Sequence, residues 1–337
     1  MEKTGNYSLL LHNTFGMDVK ASWFIEYESV ADMKFVLEDK DVMKGKWLHI
    51  GSGSNLLFKG DYEGVILHSA IRGYEVVDEN AQEIEVKVGA GEVWDDFVAY
   101  TVKNGWYGAE NLSLIPGEVG ASAVQNIGAY GVEAKDLIVS VDAMEVATGR
   151  MRKFTKEECC FGYRDSVFKK ELKGKYIVAY VTYRLKKLPS FNLEYGNVRQ
   201  ELGKRGDKLT LENVRKVIMA MREAKLPDPK VQGNAGSFFM NPIIPRERFE
   251  ELRGLYPEMP HYEVDNDRVK IPAAWMIDRC GWKGRQVGRV GVHSRQALVL
   301  VNCGGAIGDE VMALASQIQE SVFQQFGIAI SPEVNYI

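Results

Sequence analysis

Residues 115–131, with the sequence IPGEVGASAVQNIGAYG, form a glycine-rich segment that decides how the fold is interpreted. Small residues let a backbone pack closely against a flat ligand, because no long side chain stands in the way. These residues are Gly117, Gly120, Ala121, Ser122, Ala123, Gly128, Ala129 and Gly131. Gln125 and Asn126 add amide donors and acceptors that are able to contact the edge of a heterocycle. A glycine-bent loop buried between domains is the alternative, although loops of this length are usually functional.

A second glycine-rich turn lies about 60 residues earlier, in the stretch GSGSNLLF at 51–58. Such a turn between two strand-like runs can direct several backbone N–H groups at one anion. It is not the GxGxxG fingerprint, because Leu56 occupies the third glycine position and no helical pattern follows. An ordinary turn between strands is the alternative. Together the two segments predict a dinucleotide that lies across one domain.

The bulk properties set wide limits on the class of protein. A chain of 337 residues is too long for one ordinary core and predicts two or three domains. Hydrophobic residues make up 45% and charged residues 26%, as in ordinary globular proteins. The net charge of −4 predicts neither a nucleic-acid partner nor a membrane-surface partner. An anionic small ligand would need locally gathered basic side chains.

The sequence also predicts a cytoplasmic location. Residues 1–18 carry two acidic residues and no long apolar core, so they do not resemble a secretory signal. No segment approaches the roughly 20 apolar residues of a membrane span. Without a CxxC pair to hold zinc, the cysteines are expected to be reduced thiols. They are Cys159, Cys160, Cys280 and Cys303.

The pattern of elements predicts an α+β protein. Helical spacing of apolar residues marks 93–105, 211–226, 272–284 and 309–327. Strand-like runs lie at 83–92, 137–149 and 175–187, and 291–304 is typical of a strand pair. Pro189 and the polar stretch after it predict a domain boundary near residue 200.

Ser237, in the stretch VQGNAGSFFMNP at 231–242, allows three interpretations. It could be an idle hydroxyl at the start of a strand, a nucleophile on a tight turn, or a proton donor in a buried pocket. The surrounding sequence lacks the GxSxG frame, and nothing ties His293 to the serine, so a catalytic triad has little support. The other histidines lack HxH and HExxH spacing, so no metal site is predicted.

Two further charged residues are candidates for chemistry. Arg164, in CCFGYRDSVFK at 159–169, could clamp a carboxylate or phosphate with its planar guanidinium. A surface turn formed with Asp165 is the alternative. Glu333 lies in an extended tail after a proline, where a glutamate is usually solvated.

Taken in order, these stretches resemble the UDP-N-acetylenolpyruvoylglucosamine reductase family. The matching motifs are NTFG (13–16), GSGSNLLF (51–58), IPGEVGASAVQNIGAYG (115–131), GYRDSVFK (162–169), KLPDPKVQGNAGSFFMNP (225–242) and PEV (332–334). They span nearly the whole chain in the order of the family. The stretch FNLEYGNV (191–198) resembles the extra loop of the longer subclass, in which a tyrosine, here Tyr195, folds over the substrate.

The resemblance implies an FAD-binding fold of the vanillyl-alcohol-oxidase type, with two α+β lobes and a third, substrate-binding α+β domain. The expected limits are 1–70 and 71–200 for the lobes and 201–325 for the third domain, with the tail 326–337 returning toward the active site. The implied reaction uses NADPH and non-covalent FAD to reduce UDP-N-acetylglucosamine enolpyruvate to UDP-N-acetylmuramate for peptidoglycan. NADPH and the sugar nucleotide are expected to use one cleft in turn, in a monomer.

The resemblance also implies site residues. The residues expected to bind FAD are Gly51, Ser52, Gly53, Ser54, Asn55, Leu56, Ile115, Pro116, Gly117, Gly120, Ala121, Ser122, Gln125, Asn126, Ile127, Gly128, Ala129 and Tyr130. The residues expected to bind the substrate are Tyr163, Tyr195, Arg222, Lys225, Asn241 and Gln296. Tyr130 and Tyr163 are expected on the flavin side.

Three residues are implied to be catalytic. Hydride addition to an enol ether leaves charge on the neighbouring carbon and its carboxylate, which Arg164 and Glu333 would stabilise. Ser237 would then deliver one proton to carbon, in a site that Phe238 and Phe239 keep dry. The residue two after the glutamate is commonly arginine in relatives and is asparagine here, at position 335. The resemblance therefore does not imply a substrate contact for position 335 in this chain.

Two alternatives remain at the level of sequence. A flavin oxidase of small alcohols or hydroxy acids would share the FAD lobes but would not need the Ser237 motif or Glu333. A non-catalytic nucleotide-binding regulator would keep the glycine-rich loops and lose the catalytic set. The presence of all three catalytic candidates favours the reductase.

Overall fold

The computed structural model describes residues 1–337. The chain divides into two compact units, each built from three segments of sequence. The first unit comprises Met1–Tyr7, Ala21–Ser52 and Glu63–Ala224, and the second comprises Ser8–Lys20, Gly53–Tyr62 and Lys225–Ile337. None of the helices combines the length with the apolar character that a membrane span requires.

The strands are short and most pair antiparallel. In chain order they are β1 (Glu2–Ser8), β2 (Lys20–Tyr27), β3 (Trp47–Ile50), β4 (Leu56–Leu57), β5 (Tyr62–Ser69), β6 (Tyr74–Glu79), β7 (Glu83–Gly89), β8 (Gly128–Ala129), β9 (Val132–Glu133), β10 (Ile138–Glu145), β11 (Met151–Thr155), β12 (Tyr176–Lys186), β13 (Ile243–Pro245), β14 (Tyr262–Glu263), β15 (Arg268–Lys270), β16 (Gln286–Val287), β17 (Val290–Val292), β18 (Leu300–Asn302) and β19 (Asn335–Tyr336).

The α-helices lie between these strands. In chain order they are α1 (Val30–Glu38), α2 (Lys40–Met43), α3 (Trp94–Lys103), α4 (Val119–Gln125), α5 (Ala134–Leu137), α6 (Val198–Arg205), α7 (Leu211–Lys225), α8 (Arg246–Leu255), α9 (Ala273–Arg279) and α10 (Gly308–Phe326). Helices α3, α7, α9 and α10 and the β17–β18 pair confirm the elements predicted from periodicity.

Two sheets organise the first unit. One is four-stranded, in the order β1-β2-β5-β3, with β3 and β5 parallel. The other is an antiparallel five-stranded sheet in the order β11-β10-β12-β7-β6. Helix α3 packs its apolar residues onto a core that includes Trp94, Phe97 and Tyr183, all fully buried. Spacings of three and four residues place the apolar side chains of α3 on one face, which explains this burial.

Helices α6 and α7 belong to the first unit up to Ala224 and share a small core with the loop before them. That core contains Leu193, Val198 and Ile218. The change of unit between Ala224 and Lys225 therefore lies after the boundary predicted near residue 200. The division into two lobes and a third domain remains a prediction.

The second unit has its own core around α10. The buried residues of α10 recur at helical spacing; they are Val311, Leu314, Ala315, Ile318, Val322 and Phe326. Gly327 ends the helix with a φ of 65°, a left-handed conformation that glycine adopts at little cost. The C-terminal strand β19 pairs in parallel with β4, which joins the second and third sequence segments of this unit.

Candidate active site

The glycine-rich segment 115–131 of the first unit is not a simple loop, because its middle forms α4. Gly120 lies in α4, where an added Cβ would approach the Cβ of Ala90 to 2.9 Å. Asn126 ends the helix with a φ of 46°. The segment then continues as Ile127, the strand β8 and Tyr130. Its small residues therefore allow close packing within the protein, and they would also let a ligand approach the backbone closely.

Two polar side chains of this segment are occupied by protein groups. The fully buried Asn126 side chain donates to Gly162 O (2.7 Å) and accepts from Lys135 N (3.0 Å). The hydroxyl of Ser122 donates to Val119 O (2.7 Å) and lies 2.7 Å from the Tyr183 hydroxyl. The donors and the acceptor of the Asn126 amide are used by protein groups, so this geometry gives no support to a contact between that side chain and a heterocycle edge.

Arg164 is held against the same segment. Its Nη2 donates to Gly128 O at 2.6 Å, and its guanidinium lies 5.1 Å from the centre of the Tyr163 ring. The residue has a φ of 56°, and Lys169 Nζ donates to its carbonyl oxygen at 3.0 Å. A Cβ at Gly128 would lie 2.8 Å from Arg164 Nη1, so glycine is required there for the arginine to reach the segment.

Arg222, near the end of α7, brings a second guanidinium to this part of the first unit. It is half-buried, and its Nε donates to Leu114 O at 3.2 Å. Burial lowers the pKa of the Arg222 guanidinium, and the nearby charge of Arg164 adds to the shift. Arginine remains charged despite such a shift. Two cations near a glycine-rich segment favour the binding of a carboxylate or phosphate.

The extra loop that carries Tyr195 lies directly on this segment. A Cβ at Gly131 would approach the Cβ of Tyr195 to 3.0 Å, and a Cβ at Gly196 would approach the Tyr130 ring to 3.0 Å. Leu193 anchors the loop in the core, while Tyr195 is 43% exposed. Burial raises the pKa of the Tyr130 phenol. The loop thus presents an accessible aromatic side chain from a fixed base.

In the second unit, Ser237 is presented by a rigid backbone. Asn234 N donates to Thr14 O (2.8 Å), and the Asn234 side chain accepts from Gly236 N (2.9 Å). Phe238 N donates to Leu298 O (2.7 Å). Between these anchors Ser237 is exposed.

The two aromatic rings that were expected to keep the site of Ser237 dry lie in the core of the second unit. Phe238 and Phe239 are fully buried in the core of the second unit, and the Phe238 ring packs edge-to-face against Phe15, with ring centres 6.3 Å apart. Ser237, which directly precedes these two residues, is exposed.

The C-terminal tail seats Glu333 beside the serine segment. Glu333 N donates to Phe238 O at 2.8 Å, and Pro332 and Phe239 form an isolated antiparallel bridge. The amide of Asn55 donates to Glu333 O at 3.2 Å. Glu333 is half-buried. Within the second unit, three segments far apart in sequence therefore meet: the serine segment, the tail and the turn at Asn55.

Asn335, two residues after Glu333, also binds this turn. Its backbone N–H and its side-chain amide both donate to Asn55 O, at 3.0 and 3.3 Å. In this chain residue 335 therefore stabilises the end of the tail against the glycine-rich turn.

The turn at 51–58 has features that fit a dinucleotide. Gly53 has a φ of 69°, and a Cβ there would lie 1.8 Å from His12 O. The hydroxyls of Ser52 and Thr14 are buried and lack a hydrogen-bond partner. Buried hydroxyls normally have partners, so a ligand with acceptor oxygens is suited to them. Thr14 was not among the predicted site residues, although it belongs to the NTFG motif that carried the resemblance.

The remaining residues that are predicted to bind the substrate differ in their exposure and in the hydrogen bonds that they already make. Lys225 is exposed at the end of α7. Asn241 is half-buried and accepts from Ala273 N at 2.9 Å, at the start of α9. Gln296 accepts from Leu298 N at 3.3 Å. The carbonyl oxygens of these two amides are thus occupied, and their N–H groups are the groups suited to a ligand.

His293, three residues before Gln296, is a residue that sequence reasoning considered only as a base for Ser237. It is buried, and its Nδ1 has no hydrogen-bond partner. Burial lowers the pKa of its imidazole, and the charge of Arg295 adds to the shift. His293 is therefore a further residue of the second unit that is suited to bind a ligand, because its neutral imidazole has an unused nitrogen.

Two family models match the chain. Residues 21–155 match an FAD binding domain, and residues 228–337 match the C-terminal domain of UDP-N-acetylenolpyruvoylglucosamine reductase. An FAD-binding domain followed by the C-terminal domain of a reductase defines a flavin-dependent oxidoreductase. Curated reductases of this name are 58% identical in Bacteroides fragilis (98% of this chain, 99% of the relative) and 47% identical in Porphyromonas gingivalis (100% of both). The chain belongs to the UDP-N-acetylenolpyruvoylglucosamine reductase family.

A solved structure agrees with this assignment at the level of the fold. The crystal structure of UDP-N-acetylenolpyruvylglucosamine reductase from Thermus caldophilus superposes with a TM-score of 0.69 at 22% identity, covering 99% of this chain and 98% of that chain. The predicted α+β class with an FAD-binding fold of the vanillyl-alcohol-oxidase type is confirmed.

Proposed function

We propose that this chain reduces the enolpyruvyl group of UDP-N-acetylglucosamine enolpyruvate with NADPH and yields UDP-N-acetylmuramate, a peptidoglycan precursor. The observation that carries this proposal is the full-length similarity to curated reductases at 58% identity. The flavin oxidase alternative does not account for the match of residues 228–337 to the reductase C-terminal domain. Bound FAD supplies hydride transfer, from NADPH to the methylene carbon of the enolpyruvyl group.

The proposed FAD contacts come from both glycine-rich segments. The turn Gly51–Leu56 would bind the diphosphate through backbone N–H groups, and the buried hydroxyls of Ser52 and Thr14 would donate to it. The support is that both hydroxyls lack a protein partner. Segment 115–130 would lie along the ring system, with its backbone groups rather than the Asn126 side chain making the contacts. Its small residues would keep that backbone close to the ring.

Arg164 and Glu333 are proposed to stabilise the charge that develops on the substrate. Hydride addition to the methylene carbon leaves negative charge on the adjacent carbon and its carboxylate. A guanidinium can bind that carboxylate through two parallel N–H donors, and the hydrogen bond from Arg164 to Gly128 O supports a fixed orientation of its guanidinium. Such fixed donors stabilise a transition state because they need no reorganisation.

Ser237 is proposed to donate the proton that completes the reduction. Its Oγ–H would transfer one proton to the carbon next to the ether oxygen, on one face, while the hydride adds to the methylene carbon. A hydroxyl is a weak acid, so the transfer needs a strongly basic carbanion. Since Ser237 is exposed in the chain alone, the bound substrate itself would have to exclude water from the hydroxyl.

The proposed substrate contacts are Tyr163, Tyr195, Arg222, Lys225, Asn241 and Gln296. The charged and amide groups would bind the diphosphate and sugar, and the exposed Tyr195 would cover them. We also propose a cytoplasmic monomer. The support for the cytoplasm is the set of four free cysteines, and the support for a monomer is that one chain carries every proposed site residue.

The experiment that tests this function separates the two half-reactions. The purified protein is reduced anaerobically with NADPH and then mixed with the enolpyruvyl sugar nucleotide, while the visible flavin absorbance is followed. The absorbance should bleach with NADPH and return on addition of that substrate. Return only with oxygen would support the oxidase, and a protein that binds no added FAD would refute the assignment of both glycine-rich segments.

A further inference from the structure

Leu114 has a backbone conformation that its side chain disfavours. Its φ is 59°, in the left-handed region where the Cβ of an L-residue crowds the backbone. It directly precedes Ile115, Pro116 and Gly117, the start of the segment proposed to lie along the FAD ring. A change in the dihedral angles of Leu114 would redirect all three residues, because the chain is continuous.

Both backbone groups of Leu114 are held by side chains from two helices. Leu114 N donates to Asp95 Oδ1 (2.5 Å), in the first turn of α3. Leu114 O accepts from Arg222 Nε (3.2 Å), in the last turns of α7. The preceding Leu112 O accepts from Trp94 Nε1 (2.9 Å). The two peptide units that flank the Leu114 Cα are therefore each held by a side chain, which restricts the φ and ψ of Leu114 that would relax the strain.

Asp95 is in turn fixed by an ion pair to α7. Arg215 Nη1 and Nη2 donate to its two carboxylate oxygens at 2.8 and 2.9 Å. The side chains are 13% and 24% exposed, for Arg215 and Asp95 respectively, so the pair is largely screened from water. Arg215 and Arg222 are seven residues apart, which places them on one face of the helix. One helix face therefore reaches Leu114 twice, directly through Arg222 and indirectly through Asp95.

The electrostatics agree with this geometry. Burial alone would raise the pKa of the Asp95 carboxyl, but the hydrogen bonds from Arg215 and Leu114 N, together with the charges of Arg215 and Arg222, lower it. Asp95 is therefore a carboxylate at neutral pH. Its planar, bidentate pairing leaves one oxygen oriented toward the Leu114 N–H.

We propose that Asp95 and Arg215 are positioning residues of this reductase, which hold Leu114 in its left-handed conformation and so direct residues 115–117 toward FAD. The proposal rests on the proposed contact between that segment and FAD. Neither residue touches the reacting atoms, and both act through the Leu114 backbone. Their loss should weaken FAD binding and alter the flavin environment without abolishing the fold.

The test measures FAD affinity in Asp95→Ala, with Asp96→Ala as the matched control. Asp96 lies in the same turn of α3 and is exposed. Titration of the apoprotein with FAD, followed by quenching of flavin fluorescence, should give a dissociation constant about tenfold higher for Asp95→Ala. The control should stay within about twofold of the unchanged protein. The visible circular dichroism of bound flavin should change only in Asp95→Ala.

A rescue variant separates positioning from general stability. Glycine adopts a positive φ without strain, so in Leu114→Gly the hydrogen bonds from Asp95 and Arg222 are no longer needed to hold residue 114 in that conformation. In that background Asp95→Ala should weaken FAD binding by about threefold or less. An equal loss in both backgrounds would overturn the proposal. If Asp95→Ala fails to fold, Arg215→Met tests the same role, because the Asp95 acceptor remains but loses its fixed orientation.

A substitution in the segment itself distinguishes failure of this proposal from failure of the FAD assignment. Gly117 has a φ of 131°, so Gly117→Ala should distort residues 115–117 directly. Weak FAD binding in Gly117→Ala with normal binding in Asp95→Ala and Arg215→Met would refute the positioning role alone. Normal FAD binding in all three variants would refute the contact between this segment and FAD.

Discussion

At the scale of single residues, the proposed chemistry depends on groups that the backbone positions. Ser237 has anchored neighbours on both sides, at Asn234 and Phe238, and its own side chain is exposed. Arg164 is fixed through Gly128 and Tyr163. These constraints act through the backbone on either side of Ser237, whereas for Arg164 one of them uses Nη2 of the guanidinium itself.

Replacement of Ser237 by alanine should separate the two half-reactions. Flavin reduction by NADPH should stay within about twofold, because the hydroxyl has no proposed part in it. Reoxidation by the enolpyruvyl substrate should slow by about 10²-fold or more, the range expected for loss of a general acid. Anaerobic stopped-flow absorbance gives both rates. Ser316→Ala, an exposed serine of α10, is the control, and unchanged reoxidation in Ser237→Ala would reject the proton-donor role.

A buried histidine of the first unit predicts a pH-dependent stability. His68 Nδ1 lies 2.8 Å from Glu26 Oε2, and Nε2 lies 3.0 Å from Glu118 Oε1. Burial alone would lower the pKa of His68, but the hydrogen bonds and charges of Glu118 and Glu26 raise it. Because the folded pKa is above the unfolded value of about 6.5, this stabilisation is complete below pH 6.5. It is lost as the pH rises through the folded pKa.

His68→Gln should therefore be destabilising at pH 6 and less so at alkaline pH. The expected loss at pH 6 is about 1–3 kcal/mol in the free energy of unfolding, typical of hydrogen bonds to charged groups. Urea denaturation at a series of pH values measures it, with His261→Gln as a more exposed control. A difference that stays constant with pH would show that His68 is not the titrating group.

At the scale of elements, the GSGSN turn (51–55) packs closely against the backbone of His12, which leaves no room for a side chain at Gly53. Gly53→Ala should be strongly destabilising, since the new Cβ would lie 1.8 Å from His12 O at a φ of 69°. We expect a loss of about 3 kcal/mol or more in unfolding free energy. Gly60→Ala is the matched control, because nothing lies within 4 Å of its position. Denaturant unfolding measures the stabilities of the two variants. Similar free energies of unfolding would contradict the steric argument.

At the scale of the whole molecule, FAD should stabilise the folded chain by mass action. A ligand at 100 times its dissociation constant adds about 2.7 kcal/mol to the free energy of unfolding. The melting temperature of the apoprotein should therefore rise by several degrees with FAD. Riboflavin, which lacks the diphosphate proposed to bind the Gly51–Leu56 turn, should have a much smaller effect. Equal shifts with both ligands would argue against a diphosphate site at that turn.

Features that have a local cause could be predicted from the sequence. Helix α10 follows from the spacing of its apolar residues, because one face of a helix must be buried. Its end follows from Gly327. The family followed from short motifs in a fixed order, and the comparisons confirm it.

The three-dimensional fold was needed to show which polar groups already have protein partners and which distant segments meet. From the sequence, the Asn126 amide was expected to contact a ligand. In the fold it is hydrogen-bonded to Gly162 and Lys135 instead. The tail at Asn335 binds Asn55, a contact between residues 280 positions apart. Such pairings leave no periodic or local signal, because they depend on where the whole backbone places each donor and acceptor. The two hydrogen bonds that hold Leu114 arise in the same way, because Asp95 and Arg222 lie on two helices, α3 and α7, that are distant in sequence.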